Sequence, residues 1–214
     1  RSMTLGQGYL QKGDATNAIV AYSQSVKLAP ESIDAHLNLA NAYLLAGDSR
    51  AVIAQCQAVL TLDHNNAAAY YLMGCAHLRL NEAEPAVQAF QSSQKIEPAG
   101  DALNFQLGVA QERLGRLEDA IREFETLVQF QPDHPSGHYQ LSRLYQRMNR
   151  TAEAAQALTR HQEVQAKNPG TAGTTATFER CVYTQPRIAF RLAQPERNGI
   201  PVRFADTTSA AFGP

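Results

Sequence analysis

An all-α solenoid of helix–turn–helix repeats is the fold class this 214-residue sequence predicts. Three observations predict it: a self-similarity of period 34, apolar residues at helical spacing within each period, and a turn-former at a fixed place in each. Stepping by 34 from Leu5 gives Leu39, Met73, Leu107 and Leu141. The next residue along is small: Gly6, Ala40, Gly74, Gly108 and Ser142. A turn-former follows in each unit, at Gly13, Gly47, Asn81, Gly115 and Asn149. A second small column reads Ala18, Val52, Ala86, Ala120 and Ala154. Four residues later stand Tyr22, Cys56, Phe90, Phe124 and Leu158. Each unit nears its end on an apolar residue (Leu28, Leu62, Ile96, Phe130, Val164), and three then have proline, at Pro30, Pro98 and Pro132.

Each column has a mechanical role. Large residues three or four apart make one apolar stripe on a helix. The small columns let paired helices approach closely. Gly or Asn takes the left-handed conformation that ends the first helix of a pair, and proline stops the second. At these columns the sequence resembles the tetratricopeptide repeat (TPR) family, whose L-G, Y, A, F and P positions recur at the same period. The tyrosine column reads Tyr9, Tyr43, His77, Gln111 and Tyr145. The match covers residues 1–168, about four-fifths of the chain, as repeats 1–32, 33–66, 67–100, 101–134 and 135–168.

Departures from the pattern mark soft spots. The aromatic that usually opens the first helix is Tyr70 in the third repeat, but His36, Asn104 and His138 elsewhere. Cys56 stands for an aromatic, His64 and Ala166 for prolines, so the last helix is expected to run to about Asn168, ahead of Pro169. The first repeat starts two residues inside its first helix. The expectation is that the natural chain continues upstream, or that Arg1 and Ser2 are a cloning remnant ahead of Met3.

Composition narrows the function classes. With 19 basic and 20 acidic residues the net charge is −1, which offers no basic surface to nucleic-acid phosphates. No apolar run approaches the ~18–20 residues that span a bilayer. Three cysteines cannot all pair within the chain, and Cys56 and Cys75 fall inside helices, where a thiol behaves as a small hydrophobe. No phosphate-cradling glycine loop and no nucleophile motif is present, Cys181 included. His134 and His138 lie four apart beside Asp133, but Pro135 and Gly137 intervene at a repeat junction, so packing is expected there rather than metal ligation. No cofactor is expected, and the chain reads as no enzyme.

The resemblance implies a right-handed superhelix whose concave face is lined mainly by the first helix of each pair. Three columns then face the groove. They read Met3, Leu37, Tyr71, Phe105, Tyr139; then Gln7, Asn41, Cys75, Val109, Arg143; then Gln11, Leu45, Arg79, Arg113, Arg147. From these the expected partner-binding residues are Leu37, Asn41, Tyr71, Arg79, Phe105, Arg113, Tyr139, Arg143 and Arg147. Aromatics and arginine are enriched at binding hot spots. Packing on neighbouring repeats is equally open for the aromatics, as is pairing of the arginines with Glu82 and Glu112. Some TPR domains grip a C-terminal carboxylate. The matching positions here, Met3, Gln7, Asn38, Ala68 and Leu72, or Leu37, Asn41, Leu72, Ala102 and Gln106, contain no cation, so no such clamp is expected.

At Pro169 the pattern stops. Residues 169–177 read as a linker, and 178–214 as a mostly extended tail. There Ile188, Phe190 and Leu192, then Val202 and Phe204, alternate with other residues, interrupted by Pro186, Pro195 and Pro201. Val202, Phe204, Asp206 and Thr208 resemble the opening strand of an FG-GAP (integrin-α-like) β-propeller. That likeness implies a longer, extracytoplasmic protein; without it a cytoplasmic one is as reasonable. The tail is expected to pack on the TPR body, over the last helix or in the groove of its own or a neighbouring molecule. The function expected is a non-catalytic scaffold binding a peptide or protein partner in the concave groove. The alternative is a spacer or self-assembly module covered by its own tail.

Overall fold

The computed structural model describes residues 2–98, 100–167, 181 and 183–187. The linker 169–177, both alternating segments of the tail and the propeller-like phrase lie outside the described residues.

The described residues form ten helices: α1 (Ser2–Gln11), α2 (Ala15–Leu28), α3 (Ile33–Ala46), α4 (Ser49–Leu62), α5 (Ala67–Arg79), α6 (Ala83–Ile96), α7 (Asp101–Arg113), α8 (Leu117–Phe130), α9 (Pro135–Arg147) and α10 (Thr151–Lys167). Each packs on the next in sequence, and the first helices α3, α5 and α7 also touch one another across repeats. This is the all-α solenoid that the period predicts, and the odd-numbered helices share one face.

All five turn-formers have positive φ: Gly13 75°, Gly47 83°, Asn81 62°, Gly115 74° and Asn149 59°. Left-handed backbone is open to glycine and cheap for asparagine, so this column sets the angle within every pair. Helix starts are capped by side chains at Asp14, Ser32, Asp48 and Asn66, each accepting from the N–H three residues on. Ala18, Val52, Ala86, Ala120 and Ala154 are all buried. Against the small residues of the first helices lie aromatic rings: a Cβ added at Gly74 would fall 2.5 Å from Phe90, and one at Gly108 2.8 Å from Phe124.

Exceptions to the columns occur mainly at the ends. Leu5 is 54% exposed and Leu158 37%, each in a terminal repeat with no further repeat packed beyond it among the described residues. Leu28, Leu62 and Phe130, at the ends of second helices, are exposed as well, although their column is apolar throughout.

The histidines at the opening of first helices hold repeat junctions together. His36 Nε2 donates to the Pro30 carbonyl at 2.9 Å, and His138 Nε2 to the Pro132 carbonyl at 2.7 Å, each six residues back. His134 Nδ1 accepts from the Gly137 N–H at 3.0 Å and so caps α9. Burial holds the His134 pKa below the usual histidine value, with Asp101 opposing and His138 reinforcing the shift. The folded chain therefore favours neutral His134. That stabilisation is complete above the ordinary histidine pKa and is lost as pH falls through the lowered one. Melting followed by circular dichroism at pH 7.5 and pH 5 is expected to show a smaller acid-induced loss in His134→Asn than in the parent chain. The difference corresponds to about one cap, ~1 kcal/mol.

Candidate functional site

The inner face of α3, α5 and α7 carries a second segment of the same chain. Residues 181 and 183–187 lie on it. Asn38 Nδ2 donates to the Arg187 carbonyl at 2.7 Å, and the Arg187 N–H donates back to Asn38 Oδ1 at 2.8 Å. One side-chain amide thus satisfies both main-chain groups of one residue, a contact that needs no particular side chain. Toward the fourth repeat, the Tyr183 ring stacks on Tyr71 with centroids 4.6 Å apart and planes 29° apart. Tyr183 sits in a turn: Thr184 N–H donates to the Cys181 carbonyl at 3.1 Å, and Cys181 N–H to Thr184 Oγ1 at 2.9 Å. The segment therefore runs opposite to the order of repeats, from α7 toward α3.

Tyr71 is the floor of this site and is fully buried. Its ring also meets Phe90 at 5.8 Å, and its hydroxyl is hydrogen-bonded to the thiols of Cys75 and Cys181. Burial first, then those sulfurs, push its pKa well above the usual phenol value. Burial likewise raises the Cys56 thiol. These are protonated, inert groups at neutral pH.

The other expected contacts are spread differently. Leu37 is buried in the same core cluster as Tyr71. Asn41 is buried one helical turn beyond Asn38, and its Oδ1 has no hydrogen-bond partner among the described residues. Phe105 packs edge-on against Phe124 at 5.6 Å. Tyr139 is 46% exposed, with the Arg143 guanidinium 5.9 Å from its ring centre. The arginine column links repeats: Arg79 Nη1 donates to the Leu44 carbonyl at 2.5 Å, Arg113 Nη1 to the Leu78 carbonyl at 2.6 Å, and Arg147 Nη1 to Glu112 Oε1 at 2.7 Å. Each reaches back 35 residues. Leu44 and Leu78 lie in the last turns of α3 and α5, where carbonyls lack intrahelical donors and a cation complements the helix dipole. Arg143 also pairs with Glu112, at 3.3 Å. Glu82 takes His77 at 2.7 Å.

The residues sequence reasoning missed are Asn38 and Tyr183. Asn38 stands out only as one member of an incomplete carboxylate clamp. Tyr183 lies beyond the repeat, so no column contains it. An open cavity of about 700 Å³ lies elsewhere, between α8, α9 and α10, with Glu125, Tyr145, Glu153, Arg160 and Glu163 among its walls. Among the described residues no three His, Cys, Asp or Glu side chains are grouped to hold a metal, and no helix is long and apolar enough to cross a membrane.

Three repeat-family profiles match the chain: a TPR repeat over residues 6–47 and tetratricopeptide repeats over 71–135 and 113–170. No curated protein matches at the level of sequence. Among solved structures, a crystal structure of MamA is similar at TM-score 0.72 and 24% identity, covering 77% of this chain and 96% of that one. MamA of Desulfovibrio magneticus RS-1 is similar at TM-score 0.73 and 20% identity, covering 78% and 94%. YrrB, described as a TPR protein with an unusual peptide-binding site, is similar at TM-score 0.65 and 16% identity, covering 78% and 87%. These likenesses carry the fold. Together with the period-34 columns and the matched repeats, they make the chain a tetratricopeptide repeat protein, an all-α superhelical scaffold of the kind that serves protein–protein interaction.

Proposed function

We propose that this scaffold is non-catalytic and binds a polypeptide segment along the inner face of α3, α5 and α7, with residues 183–187 as its intramolecular occupant. The observation that carries the reading is the reciprocal pairing of Asn38 with the main chain of Arg187. A side-chain amide facing both main-chain groups of one residue is a device for holding backbone, and its partner is 149 residues away in sequence. The buried Oδ1 of Asn41, without a partner among the described residues, offers a further acceptor on the same helical face. The peptide-binding site named for YrrB supports the class of ligand, on fold similarity alone.

The Asn38–Arg187 contact also favours this reading over a plain spacer: an exposed inner face would need no amide clamp. The domain division at residue 168 and the nine groove residues enter this proposal as its frame, with Asn41 and Tyr71 nearest the occupant.

The test uses the full chain carrying Tyr183→Ala, which weakens the intramolecular occupant and leaves the ten helices untouched. A fluorescent peptide spanning residues 179–189, with Ser in place of Cys181, is expected to bind it, read by polarisation. Adding Asn38→Ala is expected to weaken binding at least tenfold, since two hydrogen bonds at about 0.5–1.5 kcal/mol each are lost. Circular dichroism checks that the helices persist. Binding unaffected by Asn38→Ala, in a chain that stays helical, sinks the proposal.

A further inference from the structure

Residues 183–187 touch three successive first helices, and they do so through a stiff piece of chain. Arg187 pairs through its main chain with Asn38 of α3, in the second repeat. Tyr183 stacks on Tyr71 of α5, in the third. The hydroxyl end of the same ring lies against Gly100, the N-cap of α7, where a Cβ would fall 3.5 Å from Tyr183 Oη and 3.8 Å from its Cε2. Cys181 and Tyr183 are buried in one apolar cluster with Leu37, Tyr71 and Leu103, which come one from each of repeats two, three and four. The segment has little slack between its anchors. Thr184 closes a turn on Cys181 through its N–H and its hydroxyl. Pro186 fixes its own φ and keeps Gln185 out of the helical region.

A solenoid passes stability from each repeat to the next, and here the first helices touch in the order α3 to α5 and α5 to α7. The segment adds a connection of another kind, running from the second repeat to the fourth. We propose that residues 183–187 are an intramolecular brace: seated on the inner face, they join repeats two, three and four into one cooperative unit, and their release loosens all three together. The same release uncovers the Tyr71 ring and the Asn38 amide, so an open inner face belongs to the looser state of the scaffold. The proposal rests on the reading that this segment occupies the inner face, and adds what occupancy does to the repeats. The occupant is the chain's own. At 9% and 3% exposure, Cys181 and Tyr183 are buried as deeply as core residues of the repeats beneath them.

The test is amide hydrogen exchange on the full chain, which reads the opening of cooperative units helix by helix. Arg187→Pro removes the N–H that Asn38 accepts and alters no helix. It is expected to speed exchange of α3, α5 and α7 about tenfold, the effect of one to two hydrogen bonds, while α1 and α10 stay within about twofold of the parent. Arg187→Ala keeps the main-chain pairing, and its side chain is exposed, so every helix is expected to exchange at the parent rate. Tyr183→Ala is expected to speed the same three helices on the order of a hundredfold, as loss of a buried ring does. Faster exchange confined to α3 in Arg187→Pro, with α7 unchanged, overturns the brace and leaves the groove reading standing, because a local clamp loosens only its own helix. Parent rates in all three helices in both Arg187→Pro and Tyr183→Ala overturn the brace as well. Whether the groove reading falls with it is decided separately by polarisation with the 179–189 peptide. Protection of α3, α5 and α7 that rises with protein concentration would seat the segment of a second copy there and overturn the intramolecular brace.

Discussion

Phe90→Ala is expected to cost about 3–5 kcal/mol and to turn a single unfolding transition into two. Phe90 is fully buried at the centre of the third repeat, lying on Gly74 and tilted against Tyr71. A solenoid is stabilised by contacts between neighbouring repeats, so a cavity in the middle repeat weakens the coupling of the two on either side. Urea unfolding followed by circular dichroism measures both the loss and the splitting. Gly74→Ala should destabilise from the opposite direction, by about 1–3 kcal/mol, because the new methyl meets the Phe90 ring. Combined, the two changes are expected to cost less than their sum: the methyl occupies part of the space the ring has left. A loss below about 1 kcal/mol for Phe90→Ala would contradict this account of the core.

Tyr71→Ala is expected to damage stability and binding together. The ring belongs to the core cluster with Leu37, Leu72, Phe90 and Leu103, and also forms the platform under Tyr183. Removing it should cost about 3–5 kcal/mol in urea unfolding, and the 179–189 peptide should lose its stacking surface. The triple replacement of Tyr71, Phe105 and Tyr139 is therefore no clean test of the groove, because one member is structural. Tyr71→Phe separates the roles. It keeps the ring and both of its aromatic neighbours, and removes only a hydroxyl whose partners are thiols, which are weak hydrogen-bonding groups. Peptide binding near the parent value in Tyr71→Phe, with loss in Tyr71→Ala, is the expected pattern. Loss of binding in Tyr71→Phe would mean that the hydroxyl, rather than the stacked face, holds the occupant.

Much of the fold was legible because its determinants recur. A left-handed turn needs Gly or Asn wherever it occurs, and Gly13, Gly47, Asn81, Gly115 and Asn149 all take it. Gly6, Gly74 and Gly108 each lie beneath an aromatic ring from the following helix, so the small and aromatic columns report the same contact from two sides. The site was less legible. Arg79 and Arg113 occupy a column on the groove side, yet each guanidinium reaches a carbonyl 35 residues back. A column at period 34 identifies equivalent residues and is blind to that reach. Tyr71 and Tyr139 are equivalent by period, but one is covered by Tyr183 and the other is 46% exposed, because the described part of the occupant lies over repeats two to four only.

By itself the sequence determined the all-α repeat, the helix pairs, the turns between them and the ring-on-glycine core. These depend on contacts within a repeat or between adjacent ones; the helix pairs and their turns are written five times over, the ring-on-glycine contact three times. Only the tertiary structure decided what lies on the inner face. The pairing of Asn38 with Arg187 and the stacking of Tyr71 on Tyr183 join residues more than a hundred positions apart. Each occurs once, in a segment without periodicity. A contact made once leaves no pattern to read, and its partners become visible only when the chain is folded back on itself.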